Sequence, residues 1–366
     1  MTAFVCLNDM VKALLDEYPG WPQPFSTPSP PTHKDVPIKG KGRGLVATKD
    51  IAAGETIIRE RPFLVLPMFV REHLVPVKAL EGAMHPENIL GIYALKNSWK
   101  DTDPVHLRGI VSTNAFAVGP FPTYAAYYKA IARDISRANH RCVILESFQV
   151  PIACKLINHD SCQPNALHGF DIGTMSHSLS ALRPIRKGEE ITLCYIAGVW
   201  MSYKERQEML KNHYRFRCRC KVCLLTGAAR EESDMRRALI RKHARPEFVA
   251  QLDAAFETWL EKGAPTQSSS GVSTSTSIPD PIQVARMLWN AMVKEECHEP
   301  FLWEPVLVQL VKGYAVLEDE ERVRYYATKA AELRTAFTGS DGGWLAVAEH
   351  PRETDWWARL GAKRNA

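Results

Sequence analysis

The sequence predicts an α+β protein of two bodies, the first rich in short strands and the second helical. Three observations carry that expectation. Between Ile38 and Glu60, β-prone runs alternate with Gly40, Gly42, Gly44 and Gly54, which marks a small twisted β-domain with tight turns, not a parallel sheet between helix layers. After Cys223 the β character disappears, and apolar residues recur every three or four positions, as in amphipathic helices. Between the two lies Tyr214-Arg215-Phe216-Arg217-Cys218-Arg219-Cys220-Lys221-Val222-Cys223, with three cysteines in six residues. At 366 residues, 45% hydrophobic and 24% charged, the chain suffices for one large domain and a smaller one.

Taken in order, Val5 to Tyr18 has the apolar spacing of a helix that stops at Pro19-Gly20, and the six prolines of Pro22 to Pro37 predict an irregular surface connector. Residues 1–37 are therefore an N-terminal helix and linker, and 38–69 open the β-domain. Residues 70–149 read as a mainly helical insertion, best seen at Ile89–Ser98 and Tyr124–Ser136. His73, His85, His106 and His140 there stand apart from any cysteine pair and read as ordinary histidines. The β-domain resumes over 150–200, where Lys187-Gly188 turns into a strand at Glu190–Ile196. Residues 201–224 hold a helix-like run and the cysteines. Residues 225–366 predict helices at Met235–His243, Phe248–Leu260, Pro281–Glu296, Pro305–Leu317 and Asp319–Phe337. Leu307, Leu310, Val311 and Tyr314 form one core stripe there, and Val323, Tyr326, Ala327 and Ala330 the next. The Ser/Thr-rich Pro265–Ser277 reads as a disordered loop.

The net charge of +5 and pI near 8.6 are too mild to demand a nucleic-acid or membrane partner. Residues 1–17 lack an apolar signal core, and no stretch approaches the roughly 20 apolar residues that span a bilayer. A reduced compartment, nucleus or cytoplasm, and a monomer are expected. Under such conditions three clustered cysteines are an odd number for disulfides and read as thiolate ligands of a tetrahedral zinc site. Cys162 is the natural fourth. If 214–220 run extended, Tyr214, Phe216, Cys218 and Cys220 share one face and the arginines the other. Arg217, Arg219 and Lys221 would then offset the charge of four thiolates. Arg43, between Gly42 and Gly44, and Lys41 can reach a carboxylate.

Four segments in this order resemble the SET-domain lysine methyltransferases, most closely the branch related to SET-and-MYND proteins: Lys41-Gly42-Arg43-Gly44; Asn158-His159 through Cys162-Gln163-Pro164-Asn165; Gly188-Glu189-Glu190-Ile191 through Tyr195; and Tyr214-x-Phe216-x-Cys218-x-Cys220-x-x-Cys223. The resemblance spans Ile38 to Cys223 with a long insertion. It implies a β-rich SET fold with a knot-like core, a zinc-bound post-SET segment held by Cys162, Cys218, Cys220 and Cys223, and a helical C-terminal domain. S-adenosylmethionine is the implied donor, contacted by Lys41, Arg43, Asn158, His159, Tyr195, Tyr214 and Phe216. Tyr195 is the implied catalytic residue, orienting the ε-amine of a lysine on a histone or other protein. Two departures stand out. Asn158-His159-Asp160-Ser161-Cys162 has one residue more than the usual Asn-His-Ser-Cys, so either a bulge is present or contacts shift to His159 and Asp160. Phe63 to Gly119 has no cysteine, so the MYND finger is absent. A SET-fold scaffold without turnover and a methyltransferase for small-molecule amines are the alternative readings.

Overall fold

The computed structural model describes residues 2–6, 8–38, 42–68, 77–101, 106–122, 126–138, 162–194, 200–214, 217–263, 280–298 and 300–359. They divide into two compact units, the first made of Met1–Ala197 with Tyr203–Leu224, the second of Gly198–Ser202 with Leu225–Ala366.

The first unit runs β1 (Ala3–Phe4), α1 (Asn8–Glu17), β2 (His33–Ile38), β3 (Gly42–Ala47), β4 (Thr56–Glu60), β5 (Leu64–Pro67), α2 (Val77–Ala83), α3 (Pro86–Tyr93), α4 (His106–Asn114), β6 (Phe116–Phe121), β7 (Ala126–Ile131), a 3-10 turn at Ile135–Arg137, β8 (Ala166–Asp171), β9 (Ser176–Ala181), β10 (Glu190–Ile191) and α5 (Tyr203–Tyr214). Three small sheets result, ordered β1-β5-β7-β6, β10-β3-β2 and β4-β9-β8. One core joins them through Met10, Leu14, Leu45, Ile57, Val65, Phe121, Tyr128, Leu179 and Ile191. Burying each such aliphatic or aromatic side chain favours the fold by roughly 1.5–3 kcal/mol. A second core, with Phe63, Leu64, Ile92 and Ile110, seats α2 to α4.

Three expectations are corrected here. Tyr124–Ser136 is not a helix: Ala126–Ile131 is a strand between β5 and β6, pairing Leu64 with Ile131 and Phe116 with Ala130. Among the described residues of the insertion, the α-helices end with α4. Tyr127, Tyr128 and Ile131 are accepted by a helix as well as by a pleated strand, and pairing with β5, some sixty residues earlier, and with the neighbouring β6 decides the matter. The proline-rich connector ends in β2, whose Pro37 is tolerated because β2 is the edge of its sheet. The N-terminal helix is shorter than its apolar spacing suggests, and Val11 and Leu15 face outward while Met10 and Leu14 are fully buried.

The second unit contains α6 (Gly227–His243), α7 (Pro246–Glu261), α8 (Pro281–Glu295), α9 (Pro300–Val316), α10 (Glu320–Thr338) and α11 (Trp344–Glu349). α8 packs on α9 and α9 on α10. Leu307, Leu310, Val311, Val323, Ala327 and Ala330 are all completely buried between them. Asp280 and Asp319 cap α8 and α10 by accepting from the backbone N–H groups of Ile282 and Arg322, and Gly339, at φ +79°, ends α10. Pro305 lies inside α9 instead of opening it. At its heart Glu295 accepts from Ser233, Arg236 and Arg237. The Pro265–Ser277 expectation lies outside the described residues. Among those described, no helix is long and apolar enough to cross a membrane.

Candidate metal centre and active site

Cys162 stands just before β8, and Cys218, Cys220 and Cys223 lie in the irregular segment after α5. Backbone exposure alternates there: Arg217, Arg219 and Lys221 face solvent, while Cys218 and Cys220 are buried. The segment therefore turns its thiols inward, together with Cys223, and its charges outward. The four Sγ atoms all lie within 4.8 Å of one another. Cys162 Sγ is 3.9 Å from Cys218 Sγ and 3.6 Å from Cys223 Sγ. Disulfides, with sulfurs about 2.05 Å apart, are excluded for these pairs. A tetrahedron of thiolates about 2.3 Å from a zinc ion has edges of about 3.8 Å, so the donor set and its spacing fit zinc. Hydrogen bonds from the Cys162, Cys218 and Cys223 thiols hold Cys220 well below the usual thiol range. The Cys220 N–H points at Cys218 Sγ, 3.5 Å away.

α5 supports this centre. Gln207 donates from Nε2 to the Cys218 carbonyl and accepts the Cys218 N–H, both at 3.0 Å. Arg206, 1% exposed, directs Nη2 at Cys223 Sγ, 3.9 Å away. Three residues beyond Cys162, Asn165 joins its stretch of chain to the one around β10. Its Oδ1 accepts the Thr192 N–H at 2.8 Å, and its Nδ2 donates to the Glu190 carbonyl at 2.8 Å and to Glu189 Oε1 at 3.1 Å. Arg183 also donates to Glu189, and burial is outweighed by these bonds, so the Glu189 carboxyl lies below its ordinary value.

Of the predicted cofactor residues, Arg43 lies near the start of β3, half exposed, its Nε donating to Asp35 Oδ2 at 2.8 Å and Nη2 to the Asp35 carbonyl at 3.2 Å. Its fork is thus already shared with Asp35. Tyr214 is the last residue of α5. Lys41, Asn158, His159, Tyr195 and Phe216 lie outside the described residues.

Three groups escaped the sequence reading. Arg206 is one. Glu60, at the end of β4, accepts the N–H groups of Arg133, Asp134 and Ile135 at 2.7–3.2 Å, and burial still pushes its carboxyl up to about 7. The third is a pair on the β8–β9 hairpin, where His168 Nε2 lies 2.6 Å from His177 Nδ1. Burial pushes His168 down to about 3 and His177 well below its ordinary value, so both rings are neutral, with Phe116 stacked on His168. The turn Asp171-Ile172-Gly173-Thr174, flanked by β-prone residues, was the signal available for this hairpin.

Comparison with known proteins decides what these elements belong to. The model of the SET domain matches residues 42–196. This chain carries a SET domain. The domain takes in β3 through β10, with Cys162 inside it and the other three thiols following it. Histone-lysine N-methyltransferase set5 of Schizosaccharomyces pombe is 29% identical over 206 residues, 56% of this chain and 54% of that protein. Histone-lysine N-methyltransferase SMYD3 of Mus musculus is 32% identical over 103 residues, 28% of this chain and 23% of that one. A SET and MYND domain-containing protein of Dictyostelium discoideum is 43% identical over 68 residues, 19% of each chain. The SET domain is therefore related to the SET-and-MYND branch, and the chain spans about half the length, or less, of these curated relatives. The crystal structure of the SET domain of LSMT bound to lysine and AdoHcy matches over 97% of this chain and 94% of its own at 12% identity, with a TM-score of 0.29.

Proposed function

We propose that the protein is an S-adenosylmethionine-dependent protein lysine N-methyltransferase whose SET domain is closed by a structural zinc site. The observation that carries this reading is the convergence of Cys162, inside the SET domain, with the three cysteines that follow it. A four-thiolate centre leaves no open position, so zinc there would order the post-SET segment and take no part in the reaction. Two of the relatives described above, set5 and SMYD3, are named as histone-lysine N-methyltransferases, which supports the same class of activity.

In this reading S-adenosylmethionine supplies an electrophilic methyl on its sulfonium. Tyr195 orients the lysine ε-amine through its hydroxyl, which places the nitrogen lone pair for in-line attack. Tyr214 and Phe216 supply the flat apolar surface that covers the adenine and lines the lysine channel, and such a channel favours the neutral amine over the ammonium. Asn158 and His159 hold the donor, with the knot-like threading of the family bringing them to Tyr195. Lys41 meets the donor's carboxylate. Arg43, already shared with Asp35, would have to release it to do the same.

The test is transfer of label from methyl-labelled S-adenosylmethionine into purified core histones and a fractionated lysate, comparing wild type with Tyr195→Phe. Label on protein lysines that falls at least tenfold in the variant is the expected result. Label confined to small molecules would replace the protein substrate by an amine. Donor binding without any transfer would make the domain a scaffold.

A further inference from the structure

We propose that α5 governs how firmly the four-thiol centre retains its metal, Arg206 through its charge and Gln207 by fixing the backbone of one ligand. The inference rests on the four-thiolate reading above and goes beyond it, to residues of this chain that are not ligands.

The charge argument begins with the centre itself. Four thiolates around a divalent ion carry a net charge of −2, and burying that charge is unfavourable unless positive groups stand close by. The cations nearest in sequence, Arg217, Arg219 and Lys221, point into solvent, where water and salt screen them. The role that the sequence assigns to them falls instead to Arg206. Its guanidinium is permanently charged and almost fully buried, and reaches Cys223 Sγ. An N–H directed at a bound thiolate withdraws electron density from sulfur and disfavours its protonation and departure from the metal.

The geometric argument concerns Cys218. Its N–H and its carbonyl are both taken by one side-chain amide, that of Gln207, at 3.0 Å each. A residue gripped at both backbone polar groups keeps its Cα–Cβ direction, so its sulfur is aimed before a metal arrives. Two adjacent residues of one helix thus act on two different ligands, one by charge and one by position. α5 also leads directly into the cysteine segment, so the helix that supports the ligands belongs to the same stretch of chain.

The test uses the full chain, purified with zinc, in which metal content is measured by elemental analysis and zinc transfer to a chromogenic chelator is followed in time. Arg206→Met, which keeps length and loses charge, should weaken zinc retention by about 10–100-fold, the range typical of groups that hydrogen-bond metal ligands. Arg206→Lys should fall between it and wild type. Gln207→Leu should also accelerate release, without the spectroscopic change expected at Arg206. That change is read by loading cobalt(II) in place of zinc: Arg206→Met should move the sulfur-to-cobalt charge-transfer band to lower energy, a shift that loosened packing alone does not produce. If Arg206→Met fails to fold, Arg206→Lys and Gln207→Leu carry the same comparison. Zinc held as tightly by all three variants as by wild type, with an unmoved cobalt band, would overturn the proposal. Wild-type protein that takes up neither zinc nor cobalt would overturn the four-thiolate reading on which it rests.

Discussion

Each unit of this molecule has a buried polar cluster that ties distant parts of its chain together, and the two clusters compared are of opposite kinds. In the first unit Cys162 meets cysteines 56 and 61 residues further on. In the second, Glu295 meets Ser233, Arg236 and Arg237, 58 to 62 residues back. The spans are nearly equal. The helical unit supplies both signs of charge from its own side chains, whereas four thiols can be bound together as thiolates only by a cation from outside. On the four-thiolate reading, the stability of the first unit is conditional on metal supply, and that of the helical unit is not.

Breaking one cluster at a time tests this contrast. The largest effect is expected from Cys220→Ser, or from a strong chelator: loss of zinc should remove on the order of 10 kcal/mol from the ordering of the segment around it. Elemental analysis and limited proteolysis should show zinc gone and cleavage near 217–223, with helices α6 to α10 still protected. A variant that keeps one equivalent of zinc and resists protease would defeat the assignment. Glu295→Ala should act on the other side. It takes the carboxylate from Arg237, which is 0% exposed, and breaking a buried pair costs about 3–5 kcal/mol. In calorimetry the helical unit should melt earlier, with zinc content unchanged.

A smaller effect sharpens the comparison within the SET unit. Burial raises Glu60 from its ordinary 4.5 to about 7, so between those values the folded state binds more protons than the unfolded one. Stability then falls as pH rises through this window, by roughly 3 kcal/mol in all. His168 and His177 act with the opposite sign: both are held neutral by burial, so their contribution is present above about pH 6.5 and lost as pH falls below it. Glu60→Gln removes the first dependence and leaves the second. The difference in melting temperature between Glu60→Gln and wild type should therefore grow in favour of the variant from pH 5 to pH 8. A difference that stays flat across that range would show that the three N–H bonds to Glu60, and not its burial, set its protonation.

The same contrast explains what was legible in the sequence. Cysteines are few and their spacing is chemically meaningful, so Cys218, Cys220, Cys223 and their partner Cys162 could be read directly. Glu295 and Arg237 look like ordinary surface residues of a helix, and nothing local marks them as buried. The helices after Cys223 were legible because their apolar stripes, such as Leu307 with Leu310, Val311 and Tyr314, are local patterns. Strand β7 was not: Tyr127, Tyr128 and Ile131 suit either element, and its identity comes from β5 and β6. Arg206 was hidden for a related reason, since the charge around the thiols was sought among neighbours in sequence, and the buried cation comes from the helix before them.

Asn165 links these matters mechanically. With a single amide, three residues after Cys162 and just before β8, it stitches this stretch to Glu190 and Thr192, doing across two chain segments what a ladder of strand bonds does elsewhere. A rivet of this kind transmits displacement as well as resisting it. The residue that fixes the approach to Cys162 thus also fixes the register of Glu190 to Thr192, so one amide sets the relative position of the fourth thiol and the end of β10.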